Sequence, residues 1–491
     1  MAGLHRKRMS ADAPAPIPGA ASARAVGAAI AAGTLTSRQA TGWYLERIAR
    51  LNHGPAGLNC VRSVSPLALA QADAADAELA AGRRRGPLHG VPFLVKDNIF
   101  TVDGCPASAG SLALAGFVPP YEATLVRRLR AAGAVLLGKT HMTEFADFVS
   151  DTMPSEFSGV GGVVRHPLGL HAGLHTGLRY GRGLGSSVGS AAAVAAGLCA
   201  FAIGTETQNS IQSPALHSAV TGFKPGVGRV SRHGVVPLVP SQDAPGPLTL
   251  SVDDAALVFD AIAGADMNDT ATLAIYPDDD VAGASLRGLR IGIPRRFVAD
   301  TVLQPGREAA FAHVLSLLAG AGAVIVDPCD LPSAAALHEV RSSVFRTEFK
   351  DSLNTLLGAL HPCGMTSLAD IIDWNRAHPA AIPYGQSLLE AANATAGVLA
   401  PSYIADRRRD VVLSLDDGIH AALRAGRADV LLVPMAAAAK ASGKAGAPVV
   451  ALPAGADADG LPFGVTVLAA PGQDRTVLRA AAAIEALLSR R

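Results

Sequence analysis

The sequence predicts an α/β fold: a single large α/β/α layered domain around a mixed, twisted β-sheet. Helical patterns alternate with short β-branched runs along the chain. No linker-like Ser/Gly/Pro tract and no repeat of solenoid length divides it. Composition agrees: of 491 residues, 49% are apolar and 17% charged, which suits a sizeable buried core and argues against a disordered chain.

The elements follow in order. Residues 1–21 carry basic residues but no apolar stretch behind them, so they read as a Pro/Ala-rich tail and not as a secretory signal. The domain is expected over 22–491. Thr36 and Gln39 fit a capping box, and Ala40, Tyr44, Ile48 and Leu51 then recur at helical spacing. A second helix is expected over 70–82, after which RRRGPLHG turns the chain into VPFLVKD. An amphipathic helix over 124–132 precedes a strand at 134–137, and the same unit recurs over 311–326. LRIGIP (289–294), VLLVP (430–434), PVVALPAG (448–455) and FGVTVLAA (463–470) supply further strands. The last helix runs over about 476–488.

Charge and cysteine usage exclude several function classes. Forty-two Lys+Arg against 41 Asp+Glu leave a net charge of +1, with no basic footprint for nucleic acid and no polybasic membrane signal. The longest apolar run, 191–204, falls short of the roughly 18–20 residues that a spanning helix needs. Cys60, Cys105, Cys199, Cys329 and Cys363 are odd in number and contain no CxxC, so neither a disulfide framework nor a zinc knuckle is expected. These features make the cytoplasm the expected location. The short arginine runs 83–85 and 407–409 read as solvated faces.

The Gly- and Ser-dense segment 158–228 stands apart. Glycines where backbone must approach a ligand, beside serines and a small-residue helix, suit a nucleophile site. The same composition also fits a Gly-rich loop packed under a buried Ala helix. Four separated motifs bear on the choice: VPFLVKDN (91–98), GSSVGSAAAVAAG (185–197), GTETQNSIQSPA (204–215) and GFKPGVGRVSRHGVVPLVPSQDAPGPLT (222–249). In this order and spacing they resemble the amidase signature family over about 87–264, and the likeness returns in APVVALPAG…DGLPFGVTVLAAPGQD. RTEFKDSLNTLLG (346–358), SLADIIDWNRAH (367–378) and PYGQSLLEAA (383–392) look like the later segments of its peptide-amidase-like branch.

The resemblance implies a Ser–Ser–Lys triad of Lys96, Ser186 and Ser210, with Ser210 as nucleophile and a cis peptide at Gly185–Ser186. It implies an oxyanion hole from the backbone amides of Thr207, Gln208, Asn209 and Ser210. Ser187 and Gln212 are expected near the substrate. The sequence departs from the family at Gln208-Asn209, in place of Gly-Gly, at Gln212, in place of arginine, and at Val188, in place of a common glycine. The two added side chains are expected to narrow or polarise the acyl pocket. The chemistry is coherent, since a desolvated lysine with a lowered pKa can deprotonate a serine hydroxyl near neutral pH.

Two other patterns lead elsewhere. GAVLLGKT (133–140) matches a phosphate-binding loop, but Ala134–Leu137 between its glycines is itself the strand, leaving no loop to cradle phosphate. Lys139 is therefore expected to be an ordinary surface or strand-end residue. His166, His171 and His175 lie close together among glycines, and a substrate-lining loop is expected there in preference to a metal site.

The resulting expectation is an amidohydrolase that cleaves a carboxamide C–N bond through a seryl acyl-enzyme. It would act on a small amide or peptide amide as a monomer or homodimer, with no metal or organic cofactor. The alternatives are the catalytic subunit of a tRNA-dependent amidotransferase, which releases ammonia from glutamine, and an inactive member of the family.

Overall fold

The computed structural model of the chain describes residues 21–170, 179–181, 183–274, 285–300 and 305–489. The expected tail lies almost wholly outside these residues. In chain order the strands are β1 (Val61–Val64), β2 (Pro92–Lys96), β3 (Val135–Thr140), β4 (Phe157–Ser158), β5 (Gly162–Val163) and β6 (Phe201–Glu206). They continue with β7 (Thr221–Lys224), β8 (Ala244–Thr249), β9 (Arg290–Gly292), β10 (Val324–Val326), β11 (Val430–Pro434), β12 (Val449–Ala456) and β13 (Pro462–Leu468). Eleven of them form one mixed sheet in the order β1-β3-β2-β6-β8-β7-β12-β13-β11-β9-β10, while β4 and β5 pair separately. The fold is the mixed α/β architecture that the alternation of elements predicts.

Local chemistry accounts for the framework. The helix Ser37–Leu51 opens with the capping box of Thr36 and Gln39, both halves present. The helix expected over 70–82 spans Ala68–Ala80, and the C-terminal one spans Asp474–Leu488. The apolar run 191–204 is two elements, the helix Val188–Ala195 and the strand β6. Among the described residues no helix is long and apolar enough to cross a membrane.

Strands β2 and β6 lie side by side and parallel, with Phe93 opposite Phe201 and Val95 opposite Ile203. The two phenyl rings stack at 5.3 Å, a cross-strand pair of the kind that pins register. Both strands are buried along their whole length, and their C-terminal ends reach the same edge of the sheet. Lys96 ends the first strand and Glu206 the second.

Lys139 meets the strand-end half of its expectation, as the second-last residue of β3, and not the surface half. It lies within β3, between β1 and β2, and is fully buried. Its Nζ donates to the Ile99 carbonyl. The strand runs to Thr140, so the end of the phosphate-loop-like pattern sits inside the sheet. Gly138 has φ 147, and a Cβ there would lie 2.0 Å from the Ser63 carbonyl oxygen. The β2–β3 register shifts between Phe93 and Leu94, opposite this glycine, which therefore serves a bulge.

Candidate active site

The V-K-D-N motif divides its labour. Asp97 holds structure: its carboxylate pairs with Arg62 at 2.6 Å and accepts from Ser108 Oγ at 2.5 Å. Asn98 Nδ2 donates to Thr205 Oγ1 at 3.0 Å. Lys96 is fully buried, and its Nζ donates to Ser186 Oγ at 2.7 Å, Thr205 Oγ1 at 2.9 Å and the Thr205 carbonyl at 3.1 Å. Burial pushes its amine down to about 7, against the opposing pull of Asp243, Glu206 and Asp147.

Ser186 follows a cis peptide bond from Gly185. A Cβ on Gly185 would fall 2.4 Å from Thr143 Oγ1 and 2.9 Å from Ser155, so only glycine fits against these residues. The Ser186 carbonyl accepts from the Thr143 amide at 3.2 Å. Ser187 begins the turn into the helix Val188–Ala195. Its amide donates to the Ser210 carbonyl at 3.0 Å, which joins the two serine segments. No hydrogen bond links the Ser186 and Ser210 hydroxyls in this structure, and Ser210 Oγ bonds to no group among the described residues. Ser210 is buried, 5% exposed.

Ser210 ends a tight turn after β6. The Glu206 carboxylate caps it, accepting the amides of Ile211 at 2.6 Å and Gln212 at 2.8 Å. Thr207 Oγ1 donates to Asp243 Oδ1 at 2.6 Å, while Asp243 Oδ2 accepts from the amides of Leu238 and Val239. Within the turn, the amides of Thr207, Gln208, Asn209 and Ser210 donate to no acceptor among the described residues. Four consecutive amides without a protein acceptor suit a binding site for developing negative charge.

The substituted side chains each make a hydrogen bond within the protein. Gln208 Nε2 donates to Gln242 Oε1 at 3.3 Å, and Asn209 Nδ2 donates to the Gly183 carbonyl at 2.5 Å. Both tie the turn to neighbouring segments, and neither residue takes a left-handed backbone. Gln212 is fully buried, its Nε2 bonded to Glu206 Oε1 at 2.5 Å and to the Gln208 carbonyl at 2.8 Å. It braces the turn from within. Ser187 is also fully buried, and its Oγ donates to the Thr205 carbonyl at 3.1 Å. The hydrogen-bond donors of both side chains are engaged within the protein.

Sequence reasoning missed Thr205, Glu206 and Asp243, which support the lysine and the turn. It also missed Gly443, whose Cβ position lies 2.6 Å from the Thr207 carbonyl oxygen and 2.7 Å from Gln208 Cγ. Only Glu206 has a local signal, as an acid four positions before the serine at the end of a buried strand. A cavity of about 210 Å³ reaches Thr205 and Thr207, with Val235, Val236, Pro237 and Leu238 as its apolar wall.

His171 and His175 lie outside the described residues. His166 is buried, with its Nε2 bonded to the His217 carbonyl at 2.8 Å and its Nδ1 accepting the Leu168 amide. Among the described residues no three His, Cys, Asp or Glu side chains converge as a metal site requires.

Comparison with known proteins agrees with this geometry. The model of the Amidase family matches residues 39–445. A peptide amidase from Stenotrophomonas maltophilia superposes with a TM-score of 0.87 at 38% identity, over 95% of this chain and 97% of that one. An amidase family protein from Bacillus anthracis superposes with the same TM-score at 30% identity, over 96% and 91% of the two chains. A glutamyl-tRNA(Gln) amidotransferase chain from Halorhodospira halophila is 42% identical over 304 residues, 62% of this chain and 59% of its own length. The chain belongs to the amidase family of amide hydrolases.

Proposed function

We propose that the enzyme hydrolyses carboxamides through a covalent acyl-enzyme on Ser210, with Ser186 as proton relay and Lys96 as base. One observation carries the reading: a buried amine pushed down to about 7 touches Ser186, beside a turn of four unpaired amides that ends at Ser210.

The neutral lysine takes a proton from Ser186 as Ser186 takes one from Ser210. Ser210 Oγ, unpartnered among the described residues, turns toward Ser186 and attacks the amide carbonyl carbon. The carbonyl oxygen becomes an oxyanion within reach of the amides of residues 207–210; loss of one such donor costs about 10²–10³ in kcat in serine hydrolases. Collapse breaks the C–N bond, and the relay returns the proton to the leaving nitrogen. Water, deprotonated by the same relay, cleaves the ester and restores Ser210. Every proton taken in acylation is returned before the cycle closes.

The extent of the likeness to a peptide amidase, nearly end to end, supports C-terminal peptide amides and small amides as substrates. The test is ammonia release from aliphatic, aryl and C-terminal peptide amides. Wild type should release ammonia from at least one class, and Ser210→Ala should lose the activity by on the order of 10⁴-fold or more. Equal rates for the two proteins would end the reading. A second reading, as one component of a tRNA-dependent amidotransferase, draws on the 42% identity over 304 residues. It requires glutaminase activity that appears only with partner proteins and tRNA.

A further inference from the structure

The turn at Phe145–Asp147 is unlike any other part of the described backbone. Three consecutive non-glycine residues have positive φ: Phe145 at 43°, Ala146 at 56° and Asp147 at 74°. L-residues disfavour this region, and a run of three persists only where the surroundings over-determine it. Here they do. The Phe145 amide donates to the Ala109 carbonyl at 2.8 Å, and the Phe145 ring packs edge-on against Phe349 at 5.8 Å. The amides of Ala146 and Asp147 close back onto the carbonyls of Thr143 and Glu144.

The strained turn presents one functional group. Asp147 Oδ2 accepts from Ser155 Oγ at 2.8 Å, and Ser155 Oγ in turn accepts the Leu184 amide at 3.1 Å. Thr143 Oγ1 donates to the Ser155 carbonyl, and Gly185 sits against both Thr143 and Ser155. A continuous set of contacts therefore runs from Asp147 through Ser155 to the loop that carries Ser186. The carboxylate also acts through space on Lys96, alongside Asp243 and Glu206. The other charges facing Asp147 are Lys96 itself and Glu156, which is paired with Arg179 at 2.5 Å. Glu144, buried in the same turn, is held by the Gly159 amide.

We propose that Asp147 is a positioning residue: from its left-handed turn it anchors the Leu184–Ser186 loop through Ser155 and tunes the basicity of Lys96. Burial places the Asp147 carboxyl at about 6, so it is ionised where Lys96 titrates. Its negative charge favours the lysine's protonated form, so removing it lowers the pH at which Lys96 becomes a base.

This inference rests on the proposed role of Lys96, and the experiment separates the two. kcat/KM is measured from pH 5 to 9 for wild type, Asp147→Asn and Ser155→Ala. Asparagine tolerates the left-handed backbone and can still accept from Ser155, so the fold is preserved. Wild type should show activity rising with pH through about 7. Asp147→Asn should move that limb to lower pH. Ser155→Ala cuts the link between Asp147 and the loop, and should lower kcat. A wild type with no limb near neutral pH would overturn the reading of Lys96. A limb that is present but identical in wild type and Asp147→Asn would overturn the role of Asp147 alone.

Discussion

Three lysines, Lys96, Lys139 and Lys224, are fully buried, and burial pushes each amine down, to about 7, about 8 and about 8. Desolvation alone therefore does not identify a catalytic base. Lys139 donates to the Ile99 carbonyl and Lys224 to that of Pro225, both dead ends for a proton. Lys96 alone of the three donates to hydroxyls, and one of them belongs to Ser186. The cost of burying Lys139 gives a prediction with a definite sign. Its folded value lies below the ordinary 10.5, so as pH falls from 10.5 to about 8 the unfolded chain takes up a proton and the native one does not. The stability of Lys139→Met relative to wild type should therefore rise over that window, by about 3 kcal/mol, and level off below it. Urea unfolding at a series of pH values measures this directly; a difference that does not vary with pH would refute it.

At the scale of elements, the turn that ends at Ser210 is clamped by pieces from distant parts of the chain. The short helix Ala439–Lys444 brings Gly443 against Thr207 and Gln208, at distances that leave no room for a methyl group. Gly443→Ala should displace the four amides. We expect kcat to fall by about 10- to 100-fold while the circular dichroism spectrum stays native, since small misplacements of reacting groups carry penalties of that size. An unchanged kcat would mean that the turn does not set the rate. Strands are legible where short β-branched runs lie between Gly and Pro, as in β2, β11 and β13. Strand β8, with Pro245 and Pro247, is not, because proline normally argues against an interior strand. Its prolines are tolerated because β7 pairs only with its far end, at Leu248 and Thr249. The helices Val344–Leu360 and Leu368–Ala377 carry no assignment from the sequence, although the capping box of Ser367 and Asp370 marks the start of the second.

On the scale of the whole molecule, the family resemblance carried by four local motifs is what points to Lys96, Ser186 and Ser210. It cannot reach the groups that hold them. Thr205 lies 109 residues from Lys96, and Asp243 lies 36 from Thr207; only the order of strands in the sheet makes them neighbours. Burial is also invisible to composition, which is why the sequence leaves Lys139 at the surface or a strand end and does not show that Gln212 and Ser187 are fully buried. The three positions and the four amides make one claim, that Ser210 becomes covalently acylated. Rapid quenching of the enzyme during turnover of an activated amide, followed by intact-mass analysis and peptide mapping, tests it most directly. The account predicts one acyl group per chain, on the peptide that contains Ser210, and none in Ser210→Ala. Acylation of a different residue, or full turnover by Ser210→Ala, would contradict it.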